Sequence, residues 1–478
     1  MRPKNKLLNN MVLENELTTL EKHLETTVRA HDQLLHRRVD LLLRTGKLLV
    51  ESLAATNRIV RNMKRTAAYL GIPEEKLHIN VSFTMLMVNV SDGDYSFTKF
   101  QRIEGHGVNM TAISEVSKLS WRAIENDYTL DRYEEELEKI RTKKRNYTPW
   151  QVAIGAGFAC GGFCIQFGCD WMAFLYASLA AIIGMRIRGK CNESGLNHYM
   201  GIAISAFVAT VLAWATTLLP ATWTATPWHP LLACALFIVP GVPLINFVDD
   251  MLDNYIQVGI VRAVNTLLMV SAMAFGIAFA VKLCHVNNFF PTISMVPHHN
   301  YWEYAVAAAI SAMGFSMIFN IQRRLLWVVA IGGIIAVCTR NFVNLGPSTN
   351  NIGLDMGLVI GSFAGATLVS LIAVKAVHWF HVPNHVLTIP SVIPMIPGVL
   401  MYRMLFGLIN MNVQTLDEVT PLMKAMESGV NSGLVIMCIA LGVAIPNIFG
   451  RKFISTSKNK RLAEILKERR ARGKFVEW

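Results

Sequence analysis

Val239-Pro240-Gly241-Val242 and Ile396-Pro397-Gly398-Val399 are near-copies of one tetrapeptide, 157 residues apart in a chain of 478. Each lies inside a long apolar stretch. The first continues into Pro243, and the second is preceded by Pro390 and Pro394. Proline lacks an amide hydrogen and clashes with the preceding helical turn, so neither stretch is expected to form one unbroken helix. Inside a hydrocarbon core, backbone groups freed by a break must be met by protein or by a water-filled cavity. Two interrupted apolar helices at matching places predict a transport site at the breaks.

Further matches flank the pair. Leu175–Arg188 resembles Trp327–Arg340, and Met200–Thr210 resembles Met356–Ala366, at offsets of 152 and 156. After Pro149, ten hydrophobic segments centre near 151–168, 171–187, 198–219, 229–245, 257–283, 302–321, 325–339, 353–377, 386–409 and 428–450. Most approach the roughly 20 residues that cross a bilayer. Each unit holds five segments, an odd number, so the second copy should be upside down relative to the first. The expected fold class is an α-helical polytopic membrane protein. It has ten spans as two inverted five-span repeats with interrupted helices 4 and 9, preceded by a small α+β cytoplasmic domain. The boundaries are 1–145 for that domain, 146–290 and 291–450 for the repeats, and 451–478 for a basic amphipathic tail.

Charge supports the division. Residues 1–145 carry 24 Lys/Arg and 20 Asp/Glu, residues 146–450 only 11 and 10, and residues 451–478 carry 10 and 3. Twenty-one charges in 305 residues cannot cover a water-facing surface, since soluble proteins carry about 25% charged residues. The net charge of +12 sits mostly in the tail, where it reads as membrane orientation rather than a nucleic-acid footprint. Lys139–Arg145, Arg186/Arg188/Lys190, Arg323/Arg324 and the tail should face the cytoplasm, with both termini inside the inner or plasma membrane. Met1–Lys22 has no apolar core segment of the kind a secretory signal needs. All eight cysteines lie between Cys160 and Cys438, as packing residues in a reducing compartment.

Leu13, Leu17, Leu20 and Leu24 form a helical seam, read as packing within the domain, with a homo-oligomer contact as the alternative. One helix is predicted from about Leu41 to Tyr69, stopped at Leu70-Gly71-Ile72-Pro73. Leu77–Val90 and Tyr95–Ile103, joined by Ser91-Asp92-Gly93-Asp94, predict a β-hairpin. Asp131–Glu138 reads as an acidic helix. The tail Lys458–Lys474 is a basic helix with Leu462, Ile465 and Leu466 on one side, suited to anionic lipid, with a partner helix as the alternative.

Few ionisable groups lie near the breaks, and a buried charge is costly unless paired, so each is a candidate. Pro240, Gly241, Asn246, Pro397, Gly398, Tyr402 and Arg403 form the predicted substrate site, with Arg403 holding a carboxylate by its planar fork. Backbone amides after each break would assist. Asp249, Asp250, Asp253 and Asp170 are the candidates for a coupling proton, and Arg262 opens span 5. His378, His381 and His385 share a helix face at a segment end and read as interfacial residues rather than a metal site. There is no phosphate-binding glycine loop, nucleophile elbow or zinc pattern, so no cofactor, no metal and no enzyme activity are expected.

Several of these segments resemble one family. Gly46–Gly71 with Ala55-Thr56-Asn57-Arg58, then Phe167-Gly168-Cys169-Asp170, then Val239–Asp249 running to Gly259 and Arg262, are similar to the threonine/serine exporter family. Ile393–Arg403 resembles the family's second module, which some bacteria encode as a separate subunit. The family's glycine pair at the first turn stands here as Gly168-Cys169. The resemblance implies a ten-span exporter with a cytoplasmic N-terminal domain, using the proton gradient to expel threonine and serine. Split two-subunit relatives imply succinate as the other substrate class. The expected function is therefore a secondary active, proton-coupled exporter of threonine and serine, with a dicarboxylate exporter as the alternative. A passive channel and a membrane-anchored sensor or hydrolase stand behind both. The expected partners are the solute, protons and membrane lipid.

Overall fold

The computed structural model describes residues 32–92, 95–286, 299–347, 351–409 and 419–471. The Leu13–Leu24 seam lies outside these residues.

The N-terminal segment opens with α1 (32–51) and α2 (Thr56–Tyr69). The single helix expected from Leu41 to Tyr69 is thus two. Leu53 turns left-handed, with φ of 59°, and the Ala54 amide reaches back to the Leu49 carbonyl at 3.1 Å. No Gly or Pro marks this break, and what stabilises it lies elsewhere in the chain. At the other end α2 stops where predicted. Gly71 takes φ of +80°, a region that glycine enters without Cβ strain.

Strands β1 (Leu77–Val81), β2 (Met85–Asp92) and β3 (Tyr95–Arg102) form an antiparallel sheet in that order. The expected hairpin gains a third strand because Leu77–Val90 is interrupted at Ser82. There the Ser82 amide donates to the Met85 carbonyl at 2.8 Å and its hydroxyl accepts from the Met85 amide at 3.2 Å. Helices α3 (Met110–Glu125) and α4 (Leu130–Thr142) complete the segment. Tyr133, fully buried, binds α4 to both earlier helices through the Thr45 hydroxyl at 3.0 Å and the Thr66 hydroxyl at 3.3 Å.

The apolar part runs through α5 (Pro149–Gln166), α6 (Trp171–Glu193), α7 (His198–Ala215), α8 (Pro230–Ala233), α9 (Gly241–Leu252) and α10 (Ile256–Leu283). It resumes with α11 (Tyr301–Ile318), α12 (Leu326–Asn344), α13 (Leu358–Phe380), α14 (Asn384–Val392), α15 (Gly398–Ile409) and α16 (Val419–Ala471). Among the described residues, six helices are long and apolar enough to cross a membrane, and up to eight if each bent pair is one span. Large apolar side chains such as Leu267, Phe275, Phe279, Val430 and Phe449 stand exposed on α10 and α16, a surface suited to lipid rather than water.

Two of the ten expected segments, α5 and α11, are not among these spans. These two pack backbone to backbone, where small residues allow close approach. A Cβ on Gly314 would lie 2.3 Å from the Gly155 carbonyl oxygen and 2.6 Å from the Ala159 amide nitrogen. The Ser311 hydroxyl donates to the Ala159 carbonyl at 3.2 Å.

The N-terminal segment sits against one end of the helices, here called the near face. Asn320, in the α11–α12 turn, receives the Asn146 amide on its side chain at 2.8 Å and donates to the Asn109 side chain at 2.8 Å. The Met110 amide donates to the Phe319 carbonyl at 3.0 Å. The tail continues α16 without a stop and returns to this segment, where Arg461 pairs with Glu125 at 2.7 Å and Arg469 pairs with Asp127. Leu462 and Ile465 pack against the hydrophobic core. The tail thus takes the partner-helix alternative instead of the lipid surface, because acidic side chains of the chain itself are within reach.

Gly314→Val should force α5 and α11 apart and lower stability by about 1–3 kcal/mol, as overpacking does. Thermal unfolding of the purified full chain checks this.

Candidate substrate and ion site

Both predicted breaks are present. The pair Pro230–Ile238 and Gly241–Leu252 bends by 59°, and Asn384–Met395 with Gly398–Leu405 bends by 63°. At the first, Pro240 adopts φ −79° and ψ 63°, an inverse γ-turn. The Gly241 amide accordingly donates to the Val239 carbonyl at 2.8 Å, and the Gly398 amide donates to the Ile396 carbonyl at the same distance. Each break therefore meets one freed carbonyl locally.

The breaks also meet each other. A Cβ on Gly241 would approach Ile393 Cδ1 to 2.7 Å and Ile396 Cδ1 to 2.9 Å. One on Gly398 would approach Leu236 Cδ2 to 2.7 Å and Val239 Cγ2 to 3.1 Å. Leu236 and Ile393, Val239 and Ile396, and Gly241 and Gly398 are each separated by 157 residues. The contact is reciprocal, with each glycine seated on the short helical turn before the other break.

From this crossing, α9 and α14 extend to the near face, and there most of the predicted ionic groups collect. Asp250, only 1% exposed, pairs with Arg262 on α10 at 2.9 Å. Its other carboxylate oxygen accepts the Thr56 amide at 2.8 Å. Arg262 also donates to the Ala54 carbonyl at 2.8 Å, Asn246 donates to the Leu53 carbonyl at 2.9 Å, and Asn57 donates to Asp253 at 2.6 Å. The break between α1 and α2 is thus inserted into the near mouth of α9 and α10. Thr56 opens α2 with no side-chain cap from its N-cap residue, and Asp250 supplies the missing acceptor, a negative group at a helix N-terminus. Asp249, buried, faces His385 on α14 with Oδ2 and Nε2 3.9 Å apart.

Not every predicted residue joins this cluster. Arg403 lies on α15, beyond the second break and directed away from the near face, half-buried. The side chain of Tyr402 lies outside the described residues. Asp170 lies at the opposite end, as the N-cap of α6. It accepts from the Ala173 amide, the Thr224 hydroxyl and the Ala225 amide, each at 2.7 Å. Burial pushes its carboxyl up, but these bonds outweigh it and hold the pKa below the ordinary aspartate value. Among the described residues no group of His, Cys, Asp and Glu is arranged to hold a metal.

Residues 40–284 match the family described as "Putative threonine/serine exporter", and residues 304–449 match "Threonine/Serine exporter, ThrE". The chain belongs to the threonine/serine exporter family. It is an integral membrane protein, with several apolar helices long enough to cross a bilayer. It is also similar to proteins named "Probable succinate transporter subunit YjjP". For the one from Klebsiella aerogenes, identity is 27% over 202 residues, covering 42% of this chain and 77% of the relative. For the one from Escherichia coli K12, identity is 26% over 243 residues, covering 51% and 93%. No solved structure matches the chain.

Within the family frame, sequence reasoning alone missed two features. His385 was read as interfacial, and no local signal marks its approach to Asp249. The role of residues 53–57 was also hidden, although Thr56-Asn57 at a helix start is a pattern with capping capacity.

Asp250→Ala should destabilise the protein by about 3–5 kcal/mol, because it orphans the buried Arg262 charge. The double change Asp250→Asn with Arg262→Gln should recover much of that loss, and thermal unfolding of the purified variants checks both. The Asp170 tie behaves as a depressed carboxyl does. Its stabilisation is present above the unfolded pKa and disappears as pH falls through the folded one, below the ordinary aspartate range. Unfolding followed across that range should show this acid dependence in the parent chain and less of it in Asp170→Asn.

Proposed function

We propose that the chain is a secondary active exporter of small carboxylate-bearing solutes, threonine and serine first. The observation that carries this reading is the reciprocal crossing of two broken helices with the Asp249–Asp250–Arg262 cluster on the arms below it. Such crossings place backbone dipoles and ionisable groups at membrane depth, where a polar solute needs them.

In this reading α5 and α11 complete ten passages, and the second five-helix unit is inverted relative to the first. The near face is cytoplasmic, supported by Lys139–Arg145, Arg186, Arg188, Lys190, Arg323, Arg324 and the tail lying on that side. The N-terminal segment is then a cytoplasmic α+β domain. Solute binds around Pro240, Gly241, Asn246, Pro397, Gly398, Tyr402 and Arg403. Its carboxylate is held by Arg403 and the amides that open α9 and α15. Because Leu53 holds Asn246, residues 53–57 must release before this site exchanges with the cytoplasm.

Protons are the coupling ion in this proposal. Of the four candidate aspartates, Asp250 is paired with Arg262, Asp253 accepts from Asn57, and Asp170 caps a helix. Asp249 is the one that faces a titratable group of the other unit. A dicarboxylate is the second reading, supported by the printed names of the two succinate transporter relatives.

Counterflow in proteoliposomes decides between them. Labelled threonine accumulating only against internal threonine or serine supports the first reading, and labelled succinate accumulating against succinate supports the second. Arg403→Ala should lose about 1.5–3 kcal/mol of carboxylate binding, the worth of a charge-assisted hydrogen bond. Unchanged solute affinity in that variant would remove Arg403 from the site.

A further inference from the structure

Among the described residues, Asp249 and His385 are the place where titratable side chains of the two broken helices approach each other. They lie on the near arms α9 and α14. The carboxylate and the imidazole are separated by 3.9 Å, with side-chain exposures of 4% and 12%. Their surroundings are well defined. Arg262 of α10 is close enough for its charge to interact with Asp249, but its nearest carboxylate is that of Asp250. Asp253 accepts from Asn57, and His106 of the N-terminal segment lies in the field of Arg262. Beside His385, Asn384 donates to Asn447 of α16 at 2.7 Å, a neutral contact. Asp250, Arg262 and Asp253 therefore have partners of their own.

We infer that Asp249 and His385 form a proton-carrying pair that latches the near arms of the two units together. The inference rests on the proposed transport reading and names the residues that link proton movement to opening. With both ring nitrogens protonated, an imidazolium faces a carboxylate and the arms attract. Loss of one of those protons to the near side leaves a neutral imidazole, the ionic attraction across the crossing is lost, and separation of the arms is favoured. Reprotonation restores the attraction. One proton is exchanged per opening, and no bond other than N–H is made or broken. His385 lies in the first turn of α14, two residues after its N-cap Pro383.

The first test needs no solute. Stability of the full chain, His385→Gln, Asp249→Asn and the double variant is measured as a thermal double-mutant cycle across pH. The pair predicts non-additive effects at about pH 5.5, fading by about pH 8.5, where an imidazole carries no charge. Additive effects at every pH would overturn it.

The second test separates the pair from the transport reading. In proteoliposomes, His385→Gln should keep counterflow of labelled threonine or succinate, which needs no net proton movement. It should lose accumulation driven by an imposed pH gradient by about tenfold or more, within the usual range of coupling between two sites. A variant that keeps gradient-driven accumulation with the parental pH profile would overturn the coupling role. If the parent chain itself shows no counterflow with any solute, the transport reading falls while the stability cycle still judges the pair. Should Asp249→Asn fail to fold, His385→Gln with His385→Lys, a cation that does not titrate in this range, supports the same comparison. The lysine variant should hold the arms closed and slow counterflow at all pH values.

Discussion

A helix broken inside an apolar medium leaves amide and carbonyl groups without partners, and much of this molecule is organised around meeting that demand. At Pro240 the chain turns so tightly that the next amide satisfies a carbonyl two residues back, and the second break repeats the same bond. Glycine at 241 and at 398 then lets each break press on the apolar turn of the other. The crossing is lined by Leu236, Val239, Ile393 and Ile396, which are all buried. The polar groups are displaced along the arms instead, to where α9, α10 and α14 reach the near face.

That displacement explains why the N-terminal segment is bound so intimately to the helices. Asp250 and Arg262 are nearly inaccessible to solvent, and one salt bridge does not satisfy all of their hydrogen-bonding atoms. The backbone of residues 54–56 meets part of the remaining demand, with Asn246 and Asn57 adding side-chain contacts. A buried ion pair contributes little net stability when its geometry is incomplete. Here it acts as the socket that fixes where the α1–α2 break must sit. The contacts at Asn320 and the return of the tail to Glu125 and Asp127 hold the same segment from two other sides.

The sequence by itself determined the two breaks, their pairing at one separation, the apolar and charged regions, and the gathering of Asn246, Asp249, Asp250 and Asp253 just after the first break. Proline chemistry and charge density are local properties, and they survive any change of tertiary context. The stop at Gly71 and the acidic α4 were legible for the same reason. What only the tertiary structure decided was set by partners distant in the chain. Glu51–Asn57 contains no residue that forces a helix to end, so its break exists because Asp250, Arg262 and Asn246, some two hundred residues away, hold the turned backbone. The tail's basic face suited anionic lipid first and a partner helix second, and it packs at Glu125 and Asp127. The packing of α5 on α11 through small residues such as Gly155 and Gly314 is a relation between distant segments that no hydropathy pattern reveals. His385 came to Asp249 through the bend of α14 across α9, a relation between two units that neither unit's own residues encode.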